Sequence, residues 1–230
     1  MSHTVHPYAH RLGILRDWRS RWFVGKRDKP MYRENLKSDV LLREHLEKRL
    51  RSFLVDAIEM ERGEGYLRVI IKTARPGMII GRSGEGSAKL KEDILKQIRR
   101  AGVSVPRDIR ISVEEVRSPE SHAGIVAHMI EEALEKRTPF RRTLKQAIEK
   151  VMANKDVKGV RITLSGVLDG GSMGRTESIL RGRLPLQTLR ADIDYAQGRA
   201  KGTLGAIGIK VWIYRGEIFE NHGNANTKKS

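Results

Sequence analysis

Residues 67–90 read LRVIIKTARPGMIIGRSGEGSAKL, and the change of pattern within them decides the fold. Leu67, Val69 and Ile71 alternate with Arg68, Ile70 and Lys72, the two-residue period of a strand that buries one face. After Pro76 a short apolar step, Met78-Ile79-Ile80, runs into Gly81-Arg82-Ser83-Gly84. A helix is predicted from about Glu85, with Leu90, Ile94, Ile98 and Ala101 on its inner side and Gly102 as its stop. Upstream, the Gly63-Glu64-Gly65 turn signal separates this strand from another around Leu54–Met60. Before that strand, Leu42, Leu46, Leu50 and Phe53 trace a helical stripe that Ser38 or Asp39 can cap. Downstream, Ile109, Ile111 and Val113 alternate as a third strand. The order helix, strand, strand, helix, helix, strand describes an α+β layer over residues 39–117.

A second α+β unit is expected over residues 118–220. Val126, Met129, Ile130, Ala133 and Leu134 mark one helix. Thr138-Pro139 caps and opens another, whose buried face is Leu144, Ala147, Ile148 and Val151. Val160, Ile162 and Leu164 read as a strand, a Gly-rich stretch follows over Gly166–Gly174, and Ile207, Ile209, Val211 and Ile213 alternate as a further strand. Residues 1–38 read as an extended basic arm: nine Lys or Arg stand against three acids in residues 1–37, interleaved with Tyr8, Trp18, Trp22, Phe23 and Tyr32. Such a segment can place cations on phosphates and rings on bases, or tuck its aromatics onto the neighbouring domain. Residues 221–230 have nothing to bury and are expected to be disordered.

Composition narrows the function. The 230 residues carry 45 Lys and Arg against 28 Asp and Glu, a formal charge of +17 with a pI near 10.4. Self-repulsion on that scale is relieved by a polyanion, and nucleic-acid phosphates do so with counterion release as the driving term. An anionic membrane is the poorer match, because the cations are spread along the chain and not gathered on one amphipathic helix with bulky apolar anchors. No apolar run reaches the roughly 18–20 residues of a bilayer span, and the first residues lack the order of a secretory signal, so a cytoplasmic protein is expected. Zero cysteines remove disulfides, thiolate metal sites and a cysteine nucleophile.

Three constellations could carry function. In Gly81, Arg82, Ser83 and Gly84 the glycines permit a tight turn and close approach of phosphate, and the following helix start offers free amides to an anion. A loop of this kind clamps about four nucleotides in the KH module, with the bases in an apolar groove beside it. No Gly-Lys-Ser/Thr completes a nucleotide-binding P-loop. Arg141, Arg142 and Lys145 share an arc of about 100° on the helix after Pro139, apart from its apolar arc, and so form a cationic face, for RNA or simply for solvent. Asp192 and Asp194 could together hold a divalent ion for nuclease chemistry, but no third acid lies nearby in sequence, which favours a hydrogen-bonding role. His3, His6 and His10 lie in the arm without a fixed second shell, and are read as phosphate or solvent contacts. No catalytic motif is assembled, so the alternatives to a structural RNA-binding protein are a free KH-type regulator and a metal-dependent RNA-processing enzyme.

Longer blocks carry a resemblance. Val5-His-Pro with Arg11-Leu-Gly-Ile14, Asp17-Trp-Arg-Ser-Arg-Trp22, Thr73-Ala-Arg-Pro-Gly77 leading into Ile80-Gly-Arg-Ser-Gly-Glu85, and Phe140-Arg-Arg142 with Lys145 are four of them. Arg175-Thr-Glu177, Pro185-Leu186 with Thr188-Leu-Arg-Ala-Asp-Ile-Asp-Tyr195, and Gly208-Ile-Lys-Val-Trp-Ile213 complete the set. Through them the chain resembles, nearly end to end, bacterial small-subunit ribosomal protein three. The resemblance implies a type II KH domain followed by a second α+β domain, seated in the head of the small ribosomal subunit on its ribosomal RNA; with no catalytic motif in the sequence, a structural role without enzymatic activity, cofactor or metal is expected. It also implies that the protein helps form the messenger RNA entry channel with small-subunit proteins four and five, and touches head proteins ten and fourteen. By the same resemblance Arg141, Arg142 and Lys145 bear on messenger unwinding, Gly81–Gly84 is an RNA-binding loop, and Arg11, Arg16, Trp18, Arg19, Arg21 and Trp22 form a ribosomal-RNA-contacting arm. Two departures stand out: Ser83 occupies a loop position where the family often has a second basic residue, and Ser178-Ile-Leu-Arg181 replaces an aromatic-containing stretch.

Overall fold

The computed structural model describes residues 5–25, 27–168, 170–171, 173–202 and 205–219. The stripe Leu42, Leu46 and Leu50 is buried; Leu42 and Leu46 lie on a helix longer than its sequence signal, α2 (Lys29–Arg49), and Leu50 is its C-cap. The helix starts about ten residues before Ser38 because Pro30 sits in its first turn, where a missing N–H costs nothing. Ser38 and Asp39 therefore lie inside the helix, fully buried, and receive the Arg62 guanidinium (2.9 Å to Ser38 Oγ, 2.6 Å to Asp39 Oδ1) instead of capping amides.

The strands β2 (Val55–Arg62) and β3 (Tyr66–Thr73) form the expected antiparallel hairpin. A five-residue turn of helix, α3 (Pro76–Ile80), leads through the glycine loop into α4 (Glu85–Arg100), and β4 (Asp108–Glu115) closes the unit parallel to β3. Leu42, Leu46, Leu90, Ile94 and Ile98 from the helices meet Met60, Leu67, Val69 and Ile71 from the sheet in one core. The arm contributes a fourth strand, β1 (Ser20–Arg21), parallel to β2 with Ser20 opposite Met60.

In the second unit α5 (Ala123–Glu135) and α6 (Phe140–Ala153) pack on one face of an antiparallel sheet. Its strands run in the order β6 (Arg175–Gly182), β5 (Gly159–Gly166), β8 (Gly205–Glu217), β7 (Ala191–Gly202). Pro139 stands at the N-cap, one residue outside α6. Two of the four strands, β6 and β7, go beyond the sequence expectation. Edge strand β6 is largely exposed on both faces, with Leu180 56% accessible, so it carries no burial period to read. Strand β7 does alternate, but its buried residues Ala191, Ile193 and Tyr195 face away from the helices, into a second small core with Trp212 and Tyr214.

The arm corrects the expectation of an extended segment. It forms α1 (Pro7–His10), and the His6 ring meets Tyr195 edge-on at 4.7 Å on that outer face. Arg11 has no accessible surface. Its guanidinium donates to the carbonyls of Pro7, Leu186, Thr188 and Ala191 at 2.6–3.1 Å. The expected tail, 221–230, lies outside the described residues.

The two units meet where β2 runs against the start of α5. There a Cβ on Gly124 would come within 2.7 Å of the Asp56 carbonyl. Arg51 ties this seam, reaching Glu131 at 3.1 Å, Glu135 at 2.7 Å and the Arg199 carbonyl at 2.6 Å.

Candidate nucleic-acid interface

The glycine loop is built by backbone conformations that only glycine adopts readily. Gly81 has φ 72°, ψ −177° and Gly84 has φ 81°, so a side chain at either would be strained. Ser83 also lies in the left-handed region (φ 52°), a cost of about 1 kcal/mol or more for a residue with a Cβ. Arg82 is exposed at the tip, and Met78 and Ile80, 53% and 40% accessible, provide apolar surface on its α3 side. Gly86 escaped the motif reading and is as constrained as the loop glycines: a Cβ there would lie 2.3 Å from the Ile79 carbonyl oxygen. It lets α4 start against α3, and the only sequence signal for it was a third glycine two residues after Gly84.

On α6 the two arcs separate as expected. Phe140, Leu144, Ile148 and Val151 are buried, whereas Arg141, Arg142 and Lys145 are exposed and form no ion pair among the described residues. The first turn of α6 holds no acid. Its two arginines therefore sit at the positive end of the helix dipole, an arrangement that weakens the helix slightly and strengthens attraction for an anion. Strand β6 adds a fourth cation that sequence spacing could not reveal. Arg175 and Arg141 both lie over the Phe140 ring, at 5.4 and 5.6 Å from its centroid, so strand pairing brings residue 175 beside the helix start.

The arm behaves differently. Besides the buried Arg11, Arg16 pairs with Asp192 at 2.6 Å, and Arg21 reaches Glu59 at 2.5 Å and Glu61 at 3.3 Å. The Trp22 indole donates to Asp39 at 2.8 Å and its ring meets Tyr32 at 5.2 Å. Arg19 lies over Tyr8 at 5.1 Å, and Trp18 is 56% accessible. The aromatic and basic residues of the arm thus divide: Arg11 has no surface for RNA, which corrects its placement among the contacts, Arg16, Arg21 and Trp22 hold protein partners, and Trp18 and part of Arg19 stay open.

Asp192 and Asp194 do not combine as a pair of metal ligands. Asp194 Oδ2 accepts from the Ala123 amide at 2.9 Å and from Arg215 at 3.2 Å, and Asp192 pairs with Arg16. The ligand-like cluster found among the described residues is instead Asp56, His122 and Asp194. Arg215 touches it and Asp56 hydrogen-bonds His122 Nδ1 at 2.9 Å, so it reads as a polar clasp between the two units. Burial works to raise the Asp56 carboxyl, but the hydrogen bond and charge of His122, with Arg19 and Arg215, outweigh it and hold the group below the ordinary carboxylate range. Burial and the nearby Arg19 both lower His6. His3 lies outside the described residues.

With this geometry in place, comparison with known proteins is specific. The KH domain family matches residues 41–121, and the family described as ribosomal protein S3, C-terminal domain, matches residues 130–213. The small ribosomal subunit protein uS3 of Acidobacterium capsulatum is 44% identical over 220 residues, covering 96% of this chain and 93% of that one. The uS3 protein of Caldicellulosiruptor saccharolyticus is 40% identical over 228 residues, covering 99% and 98%. That of Coxiella burnetii is 42% identical over 218 residues, covering 95% and 91%.

Proposed function

The chain belongs to the uS3 family of small ribosomal subunit proteins, and from that premise we propose that it is a structural constituent of the small-subunit head that binds ribosomal RNA and helps form the messenger RNA entry channel. It works in the cytoplasm as part of the ribosome and performs no catalysis; none of its helices is long and apolar enough to cross a membrane among the described residues. Arg141, Arg142 and Lys145, joined by Arg175, hold messenger phosphates at the entry. Gly81–Gly84 clamps RNA backbone, with Met78 and Ile80 beside it for bases, and Trp18 and Arg19 add contacts from the arm. Small-subunit proteins four and five are the neighbours at the entry, ten and fourteen those in the head.

The observation that carries this reading is the unpaired cationic arc of α6, set at a helix start where the backbone dipole adds to its attraction for phosphate. Unwinding then needs no chemistry. Cations hold strands that open thermally or are drawn apart by the translocating ribosome, and so bias each opening against reclosure. Ribosomes carrying Arg141→Ala, Arg142→Ala and Lys145→Ala together are expected to slow on messengers with stable hairpins and to keep their speed on unstructured ones. Equal speed on hairpins removes these residues from the mechanism.

A further inference from the structure

The sheet of the second unit has an outer face that the functional reading leaves unused. Its inner face meets α5 and α6 through Ile162, Leu164, Ile209 and Val211. Side chains alternate along strands, and directly opposed residues share a face, so the register names what points outward. One outward row reads Leu180, Arg161, Trp212, Tyr195 across β6, β5, β8 and β7. The next reads Ser178, Thr163, Lys210, Gln197, and the third Thr176, Ser165, Gly208, Arg199.

The arm covers only the Tyr195 end of this face, leaving the remaining rows open. Arg161 lies over Trp212 at 5.4 Å with Nε on Ser178 Oγ at 3.1 Å, while Lys210 and Arg199 are exposed. These three cations descend diagonally over three adjacent strands. At strand spacings near 4.8 Å and two-residue rises near 6.8 Å, each step is about 8 Å. No acidic residue stands in the three rows, and none of the three cations forms an ion pair among the described residues.

We infer that this open half-face is a second RNA-binding surface, on which Arg161, Lys210 and Arg199 hold successive phosphates of an RNA backbone and the Ser178 hydroxyl, which accepts from Arg161 and Thr163, donates to it. The inference rests on the RNA-binding reading above and extends it to a surface on the opposite side of the sheet from α6. Charge complementarity selects the occupant. Positive charge without acids suits phosphate, whereas a protein docking site needs an apolar centre, and the exposed apolar residue in these rows, Leu180, sits at the edge. With no exposed aromatic ring in the lower two rows to stack on, binding is to backbone and independent of sequence.

The test uses the full chain with Arg161→Thr, Lys210→Thr and Arg199→Thr combined, replacements that suit a strand. The probe is a generic RNA duplex of about 16 base pairs, the span of a double-stranded RNA-binding module. The slope of log affinity against log salt is expected to flatten by about 2–3, since each lost phosphate contact removes about 0.9. A folded variant with the wild-type slope overturns the surface. Should the triple variant not fold, acetylation of Lys210 in the wild-type chain decides: protection by the duplex supports the surface, and unchanged reactivity overturns it. Lys210 shielded in assembled small subunits but not by duplex assigns the face to a protein neighbour and overturns the inference. A wild-type chain whose duplex binding is indifferent to salt brings down the underlying RNA-binding reading as well, whereas a steep wild-type slope untouched by the triple variant removes only this surface.

Discussion

The arm and the start of α6 are both dense in arginine, and the structure uses them in opposite ways. In the arm, Arg11 is enclosed by four carbonyl oxygens and Arg16 and Arg21 face carboxylates of distant strands. On α6, Arg141, Arg142 and Lys145 are exposed and pair with no acid among the described residues. One set of cations glues the chain to itself, while the other is left for a partner. Local charge density is thus a poor guide to RNA contact; what matters is whether the fold has already supplied the counter-charge or the acceptor.

The sharpest way to break this contrast is Arg11→Ala. It leaves four buried carbonyls short of a charged donor, and a cost of about 3–5 kcal/mol is expected in urea unfolding, with the salt dependence of RNA binding unchanged. A stable variant with a flatter salt slope would place Arg11 among the RNA contacts and dissolve the distinction. The converse substitution, Arg141→Ala with Arg142→Ala and Lys145→Ala, is expected to flatten the salt slope by about 2–3 while moving stability by no more than about 0.5 kcal/mol.

The clasp between the units gives a third test, with a defined sign. Asp56 has a depressed folded-state pKa, so its contribution is present above the ordinary carboxylate range and is lost as pH falls through the lower folded value. Asp56→Asn is expected to cost about 1–2 kcal/mol at neutral pH and to blunt the acid limb of the stability profile, read by thermal melts across pH. An unaltered acid limb would mean that the Asp56–His122 contact does not hold the units together. The smallest effect is also the most discriminating. Arg142→Glu replaces a cation with an anion in the first turn of α6, so stability should rise by about 0.3–1 kcal/mol while RNA affinity falls. A residue whose removal improves the fold and harms binding is present for its partner.

Much of the first unit could be read without coordinates, because its signals are local. Leu67, Val69 and Ile71 set a strand by period alone, Leu90, Ile94 and Ile98 set a helix, and the glycine loop announces itself between them. Ser38 and Asp39 satisfy a capping rule yet lie inside α2, because they serve Arg62, 23 or 24 residues away. Strand β6 was invisible because an exposed edge imposes no burial period. Of the candidate site, Gly81–Gly84 and the α6 arc could be read, since a turn and a helix face are properties of neighbouring residues; Arg175 could not, since only strand pairing carries it to Phe140.

The sequence by itself determined the helix and strand order of the first unit from α2 to β4, the excess of cations and the membership of a family, all of which follow from residue identity and short-range periodicity. Only the tertiary structure decided which cations remain free. The acceptors that enclose Arg11 lie up to 180 residues away, and the carboxylate that neutralises Arg16 lies 176 away. Such pairings depend on three-dimensional proximity, which no local pattern encodes.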